Sequence, residues 1–429
     1  MIVFDRFTLS NGLRCLVHND PSTPMVAVNV LYDVGARDED PEQTGFAHLF
    51  EHLMFGGSVN IPEYDEPLQM AGGENNAYTT NDITNYYIQL PAKNIETAFW
   101  LESDRMLSLA FSKKSLEVQR KVVCEEFKEH YLNKPYGDLW FYLRELCYKQ
   151  HPYRWMTIGK KLSHIEDATL EDVRRFFFKH YRPTNAILCV AGNISTDEVK
   201  QLAEKWFGTI EAGTPYQRQL PVEPEQTEAR VLRVEKEVPV SVLMLAFHIP
   251  ARLHPDYYVC DLLTDILSGG QSSRLHQRLV KEKKLFSQID CYHTGSVDTG
   301  LLVIDGKLLP GTSEDEALNA IWEELDRLKS EPVSIQELEK VKNKVESMIA
   351  FEDLSLLNRA NNLAFYELLG DASRMNREFS YYQAVNPETL QRVANEILTH
   401  SRSNTLYYMA KAGSTTLAME ENEEEEEVH

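Results

Sequence analysis

Apolar and polar positions along this 429-residue chain fall into two kinds of run. Short β-branched stretches, such as Val26-Ala27-Val28-Asn29-Val30-Leu31 and Val240-Ser241-Val242-Leu243-Met244-Leu245, have the composition and period of strands. Asn75 through Ile88, rich in Thr, Tyr and Ile, reads as another. Longer stretches with an apolar residue every three or four positions predict helices over 95–109, 116–129 and 334–349. The first thirteen residues place Asp5 inside an apolar alternation and meet a turn signal at Asn11-Gly12, so they predict a strand entering a turn, not an apolar leader. Strands and long helices together predict α/β or α+β layers.

The pattern recurs after about 210 residues, the signature of an internal repeat. His48-Leu49-Phe50-Glu51-His52-Leu53-Met54-Phe55-Gly56-Gly57-Ser58 and Asp261-Leu262-Leu263-Thr264-Asp265-Ile266-Leu267-Ser268-Gly269-Gly270-Gln271 share their apolar and glycine positions. Each follows one of the two strands named above, and Gly35-Ala36-Arg37 is paralleled by Pro250-Ala251-Arg252. The polar positions are not shared: His48, Glu51 and His52 become Asp261, Thr264 and Asp265. Glycine, proline and charge in Leu220-Pro221-Val222-Glu223-Pro224-Glu225 mark a linker over 216–229. The expected organisation is a chemically equipped domain over 1–215, a homologous domain over 230–415 and an acidic tail over 416–429.

Composition narrows the partners. A hydrophobic fraction of 43% can bury a large core. The net charge of −22 excludes nucleic acid, whose phosphates need a basic surface, and favours basic peptides. Seven of those charges belong to Glu420, Glu421 and Glu423 to Glu427, which leaves −15 on the remainder. The six cysteines lack paired spacing, which argues for reduced thiols and against a disulfide framework or a cysteine metal cluster. No apolar run is long enough to span a membrane, so the expected location is cytoplasmic, with a removed targeting segment as the exception.

The chemistry concentrates in His48-Leu49-Phe50-Glu51-His52. On a helix, His48 and His52 stand one turn apart on one face and can share a metal, with Glu51 beside them. This is the inverted form of the zinc-hydrolase motif. Catalytic zinc takes a third side chain and keeps one position open. The stretch Gln119 to Glu129 offers Glu125, Glu126 and Glu129, and spacing does not choose among them.

With these residues the chain resembles the pitrilysin and mitochondrial processing peptidase family, zinc endopeptidases whose inverted motif is followed roughly 75 residues later by a glutamate ligand. The resemblance implies one zinc per chain held by His48, His52 and Glu126, with Glu125 as the alternative ligand. Glu51 is then general base and not a ligand. Many members carry an acid seven residues before the ligand; Gln119 stands there, with Glu117 as a possible substitute. Asn75-Asn76-Ala77-Tyr78-Thr79 is similar to the family's edge strand, which implies that Asn76, Ala77 and Tyr78 bind an extended peptide. The implied fold is α+β: two tandem homologous domains, each an antiparallel sheet with helices packed on one side. The implied activity is hydrolysis of peptides or unfolded segments, held as an added strand in an enclosed chamber. A non-catalytic structural or peptide-binding subunit is the alternative, and it calls for degraded ligands. One departure concerns the biological unit. Single-chain members carry an arginine and, seven residues later, a tyrosine in the second half; the matching positions hold Val280 and Ser287. This implies a homologous partner subunit that carries the pair, with a homodimer less favoured and Arg278 and Tyr292 as local substitutes.

Overall fold

The structure, a computed structural model, describes residues 1–411, so the tail expected over 416–429 lies outside the described residues. It divides into two compact units. The first comprises Met1–Glu129, Trp155–Pro221 and Met348–Glu378; the second comprises His130–Arg154, Val222–Ser347 and the chain from Phe379 onward.

The first unit is built on a six-stranded sheet: β1 (Asp5–Thr8), β2 (Arg14–Asn19), β3 (Met25–Tyr32), β4 (Glu74–Thr79), β5 (Thr84–Pro91) and β6 (Ala186–Gly192), in the order β1-β2-β6-β3-β5-β4. Neighbours are antiparallel except β2 and β6, which are parallel. Central strands β3 and β6 are buried almost throughout, which explains their near-continuous apolar runs: both faces are covered. Edge strand β4 instead alternates exposed and half-buried residues. One face, carrying Leu16, Ala27, Leu31, Ile187 and Cys189, is covered by the helix Leu356–Leu368 through Ala360, Leu363 and Ala364. On the other face Tyr32 packs against Tyr86 and Tyr181, and Phe50 of the helix Phe46–Met54 stacks on Tyr181.

The second unit repeats the plan with β7 (Arg230–Lys236), β8 (Val242–Ile249), β9 (Phe286–His293), β10 (Gly300–Leu308) and β11 (Asn404–Ala410), in the order β7-β11-β8-β10-β9. Again a single pair, β7 and β11, is parallel. The helix Leu139–Cys147 covers one face, where Leu139 and Leu143 meet Val242, Met244, Ala246 and Val303. On the other face Phe247 meets Trp322 of the helix Glu314–Ser330 edge-on. Apart from β1, the order and sense of the two sheets coincide strand for strand, as a repeat requires.

The α+β architecture in two like parts matches the expectation, with three differences of detail. Each sheet is mixed, because the strand that closes it pairs in parallel with a strand more than 150 residues away. Each sheet is covered on both faces, and the second cover comes from the other half of the chain: 348–378 joins the first unit and 130–154 the second. The stretch 75–88 is a hairpin, not one strand. Thr80 ends β4: its Oγ1 accepts the N–H groups of Asp82 and Ile83, and its own N–H donates to the Ile83 carbonyl at 2.8 Å.

Candidate metal centre

The helix Phe46–Met54 buries Phe46, Ala47, Leu49, Phe50, Leu53 and Met54. That face fixes the rotation of the helix and leaves His48, Glu51 and His52 half-buried on the opposite side. The two imidazole rings stand edge to face, 4.8 Å apart. Beyond the last turn, Phe55 lies under the Arg105 guanidinium, which Glu102 grips in the interior of the unit.

The second contributor is the helix Lys113–Phe127, capped by Ser112. Leu116, Val123, Cys124 and Phe127 are its buried residues. Glu126 lies beside that apolar stripe, with its carboxylate 3.8 Å from His48 Nε2 and 3.4 Å from His52 Nε2. Glu125 points elsewhere and pairs with Lys128 at 2.8 Å. Of the three carboxylates the sequence left open, only Glu126 joins the histidines. Ligand atoms of His48, His52 and Glu126 all lie within 4.8 Å of one another, the one such group among the described residues. Tetrahedral zinc would separate its ligand atoms by about 3.3 Å, so small side-chain movements bring this donor set to coordination distance.

Glu51 stands outside that group. Its carboxylate accepts a 2.6 Å hydrogen bond from Thr79 Oγ1, at the end of β4. Burial pushes the Glu51 carboxyl upward, opposed by the Thr79 bond and by His52. Burial pushes His48 down to about 4, against the attraction of Glu126, so its imidazole is neutral and able to donate a lone pair.

β4 is the outermost strand of its sheet, paired with β5 on one side only. Alternation along the strand puts Asn75, Ala77 and Thr79 on the Glu51 side and Asn76 and Tyr78 on the other. Of the three residues expected to bind peptide, Ala77 therefore shares a face with Glu51. Asn76 and Tyr78 flank it, and the Asn76 side-chain oxygen Oδ1 accepts the Ala77 N–H at 2.8 Å. Gln119 sits half-buried two turns before Glu126, while Glu117 is engaged with Lys121 at the surface and does not stand in for it. Thr79 escaped the sequence reading, although its place two residues after Ala77 was the available signal. Glu39 escaped it entirely: its buried carboxylate accepts the N–H groups of Gly45 and Ala47, both at 2.8 Å, at the start of the histidine helix.

In the second unit Val280 lies in the turn His276–Glu282 and exposed Ser287 on β9. The two local substitutes do not converge. Arg278 faces Glu282 and Glu324, on the side of the helix Glu314–Ser330, whereas Tyr292 lies on the opposite face of the sheet, 6.2 Å from Trp140.

Comparison with known proteins agrees with this architecture. Residues 14–139 match the family model described as Insulinase (Peptidase family M16), and residues 167–345 match that described as Peptidase M16 inactive domain. The zinc protease PqqE of Helicobacter pylori is 30% identical over 410 residues, which cover 93% of this chain and 91% of the relative. The probable mitochondrial-processing peptidase subunit beta of Schizosaccharomyces pombe is 29% identical over 68% of this chain and 67% of its own length. The crystal structure of a protease from Helicobacter pylori superposes with a TM-score of 0.88 at 29% identity, covering 95% of this chain and all of that one. The chain belongs to the M16 family of peptidases. No helix among the described residues is long and apolar enough to cross a membrane.

Proposed function

We propose that this chain is a zinc-dependent endopeptidase whose metal is held by His48, His52 and Glu126. The observation that carries the reading is the convergence of those three donors, with Glu51 beside them and outside the set. Neutral nitrogen and carboxylate oxygen are the donors zinc takes in hydrolytic sites, and three protein ligands leave a position open. Zinc bound there would bring the pKa of its water towards neutrality and polarise the scissile carbonyl. Glu51 accepts the proton from the attacking water and returns it to the leaving amine. Thr79 holds the Glu51 carboxylate toward β4, so the base faces the strand on which a peptide would lie. The unpaired edge of β4 binds the peptide through its backbone, and this makes recognition tolerant of sequence. The acidic charge of the chain favours basic substrates.

Glu51→Gln tests the assignment, because it keeps the shape of the side chain and removes the base. The variant retains one equivalent of zinc and loses peptidase activity by at least ~100-fold, read by metal analysis and cleavage of a quenched peptide library. Normal cleavage by that variant would remove Glu51 from the mechanism.

The same reading extends to the biological unit. Val280 and Ser287 supply neither guanidinium nor phenol, and Arg278 and Tyr292 are turned to different faces. We infer that full activity requires a homologous partner subunit bearing the missing pair, with a second copy of this chain as the lesser arrangement. Size-exclusion chromatography coupled to the peptidase assay, with and without the product of any adjacent homologous gene, checks this. A fully active monomer would refute it.

A further inference from the structure

The geometry points to Glu39 as a positioning residue of the metal centre, which holds the histidine helix in rotation and register from its N-terminal end. This role rests on the zinc reading above. The helix Phe46–Met54 has no side-chain cap of its own, because its N-cap is Gly45 at φ 89°. Only glycine fits there: a Cβ would lie in the left-handed region and 2.7 Å from the Ile158 carbonyl oxygen. The free N–H groups of the first turn therefore need a remote acceptor, and Glu39 provides it. Its Oε2 accepts from Gly45 N and its Oε1 from Ala47 N, each at 2.8 Å. The carboxylate is itself fixed by the indole of buried Trp155, which donates to Oε2 at 3.1 Å and to the Ala36 carbonyl at 2.9 Å.

Two features make this more than a generic cap. The grip is bidentate on residues 45 and 47, immediately before ligand His48, so it defines a direction about the helix axis as well as an end point. The helix is only nine residues long and carries both imidazoles and the base. A roll of ~10–20° would move the imidazoles beyond what a preorganised site tolerates. Glu39 is also buried, and with the carboxylate gone two interior N–H groups would seek other partners by moving the helix. Glutamine is a poor substitute: one of its two terminal atoms is an NH2 that would confront an N–H donor.

The test compares the full-length wild type, Glu39→Gln and Leu143→Ala for zinc affinity, by competition with a chromophoric chelator, with thermal unfolding followed in parallel. Leu143 is buried in the second unit's core and serves as a destabilised control remote from the histidine helix. Glu39→Gln is expected to weaken zinc binding about 10- to 100-fold, the range for groups that orient metal ligands, while Leu143→Ala leaves affinity unchanged. Wild-type affinity in Glu39→Gln, or equal weakening in Leu143→Ala, overturns the role. A wild-type chain that takes up no zinc overturns the metal reading instead, so the two failures are distinct. Should Glu39→Gln not fold, Trp155→Phe removes the indole N–H from Glu39 and from the Ala36 carbonyl while keeping an aromatic ring there; a several-fold loss of zinc affinity supports the role and an unchanged value overturns it.

Discussion

The helices Phe46–Met54 and Pro255–Ser268 occupy the same place in two copies of one scaffold, yet their polar side chains meet different company. In the first unit, two imidazoles from the motif helix and a carboxylate from the helix Lys113–Phe127 face one another. In the second, the equivalent positions are Asp261 and Asp265, and every acid has found a partner. Asp265 pairs with Lys344 at 2.6 Å, and Lys344 stands on the helix Ile335–Glu352, the counterpart of the one that supplies Glu126. Asp261 accepts from the Tyr382 hydroxyl at 2.6 Å and meets His293 Nε2 at 3.0 Å. The acids of the copy are engaged by its own side chains, whereas the motif site brings three metal-ligating side chains together.

The largest effect that would sharpen this contrast lies at the ligand itself. Glu126→Gln is expected to lose zinc and to drop peptidase activity by more than the roughly 100-fold that supporting groups are worth, while Glu125→Gln changes neither. Equal loss in both variants would break the assignment that the geometry makes between them. Next comes Asp261. Burial raises its carboxyl, but the bonds from His293 and Tyr382 and the charge of Arg252 outweigh that and hold it below the usual range. Its folded pKa is therefore lower than the unfolded value of about 3.9, so its contribution is full above that pH and is lost as pH falls through the folded value. Asp261→Asn should cost about 1–3 kcal/mol at pH 7 and progressively less in acid, with zinc content unchanged, measured by denaturant unfolding across pH. A constant cost down to pH 2 would refute the titration. The smallest effect is expected from Lys344→Met. Its half-exposed pair with Asp265 is screened by solvent and is worth about 0.2–1 kcal/mol, and zinc should again stay at one per chain.

Where local pattern decides the outcome, the sequence was a good guide. His48, Glu51 and His52 were readable because the four-residue spacing and the apolar positions around them are helical by themselves. The choice of Glu126 over Glu125 needed the rotation of the second helix, set by Leu116, Val123 and Phe127 against the core. The hairpin in 75–88 was missed although Asn81-Asp82 signalled a turn, because the β-forming residues on either side outweighed it. Thr79 and Glu39 act across 28 and six to eight residues through tertiary placement, which no periodicity encodes. Periodicity also announces a helix without saying which sheet it will cover, so the destination of 356–368 could not be read.

That destination has a consequence for how the gene can be divided. A cut near residue 221 separates the sequence repeats but not the compact units, since each product would keep a helix meant for the other's sheet and leave an apolar sheet face bare. Each half lends a helix to the other's sheet, so either half expressed alone is expected to be soluble and folded only when its complement supplies the missing cover.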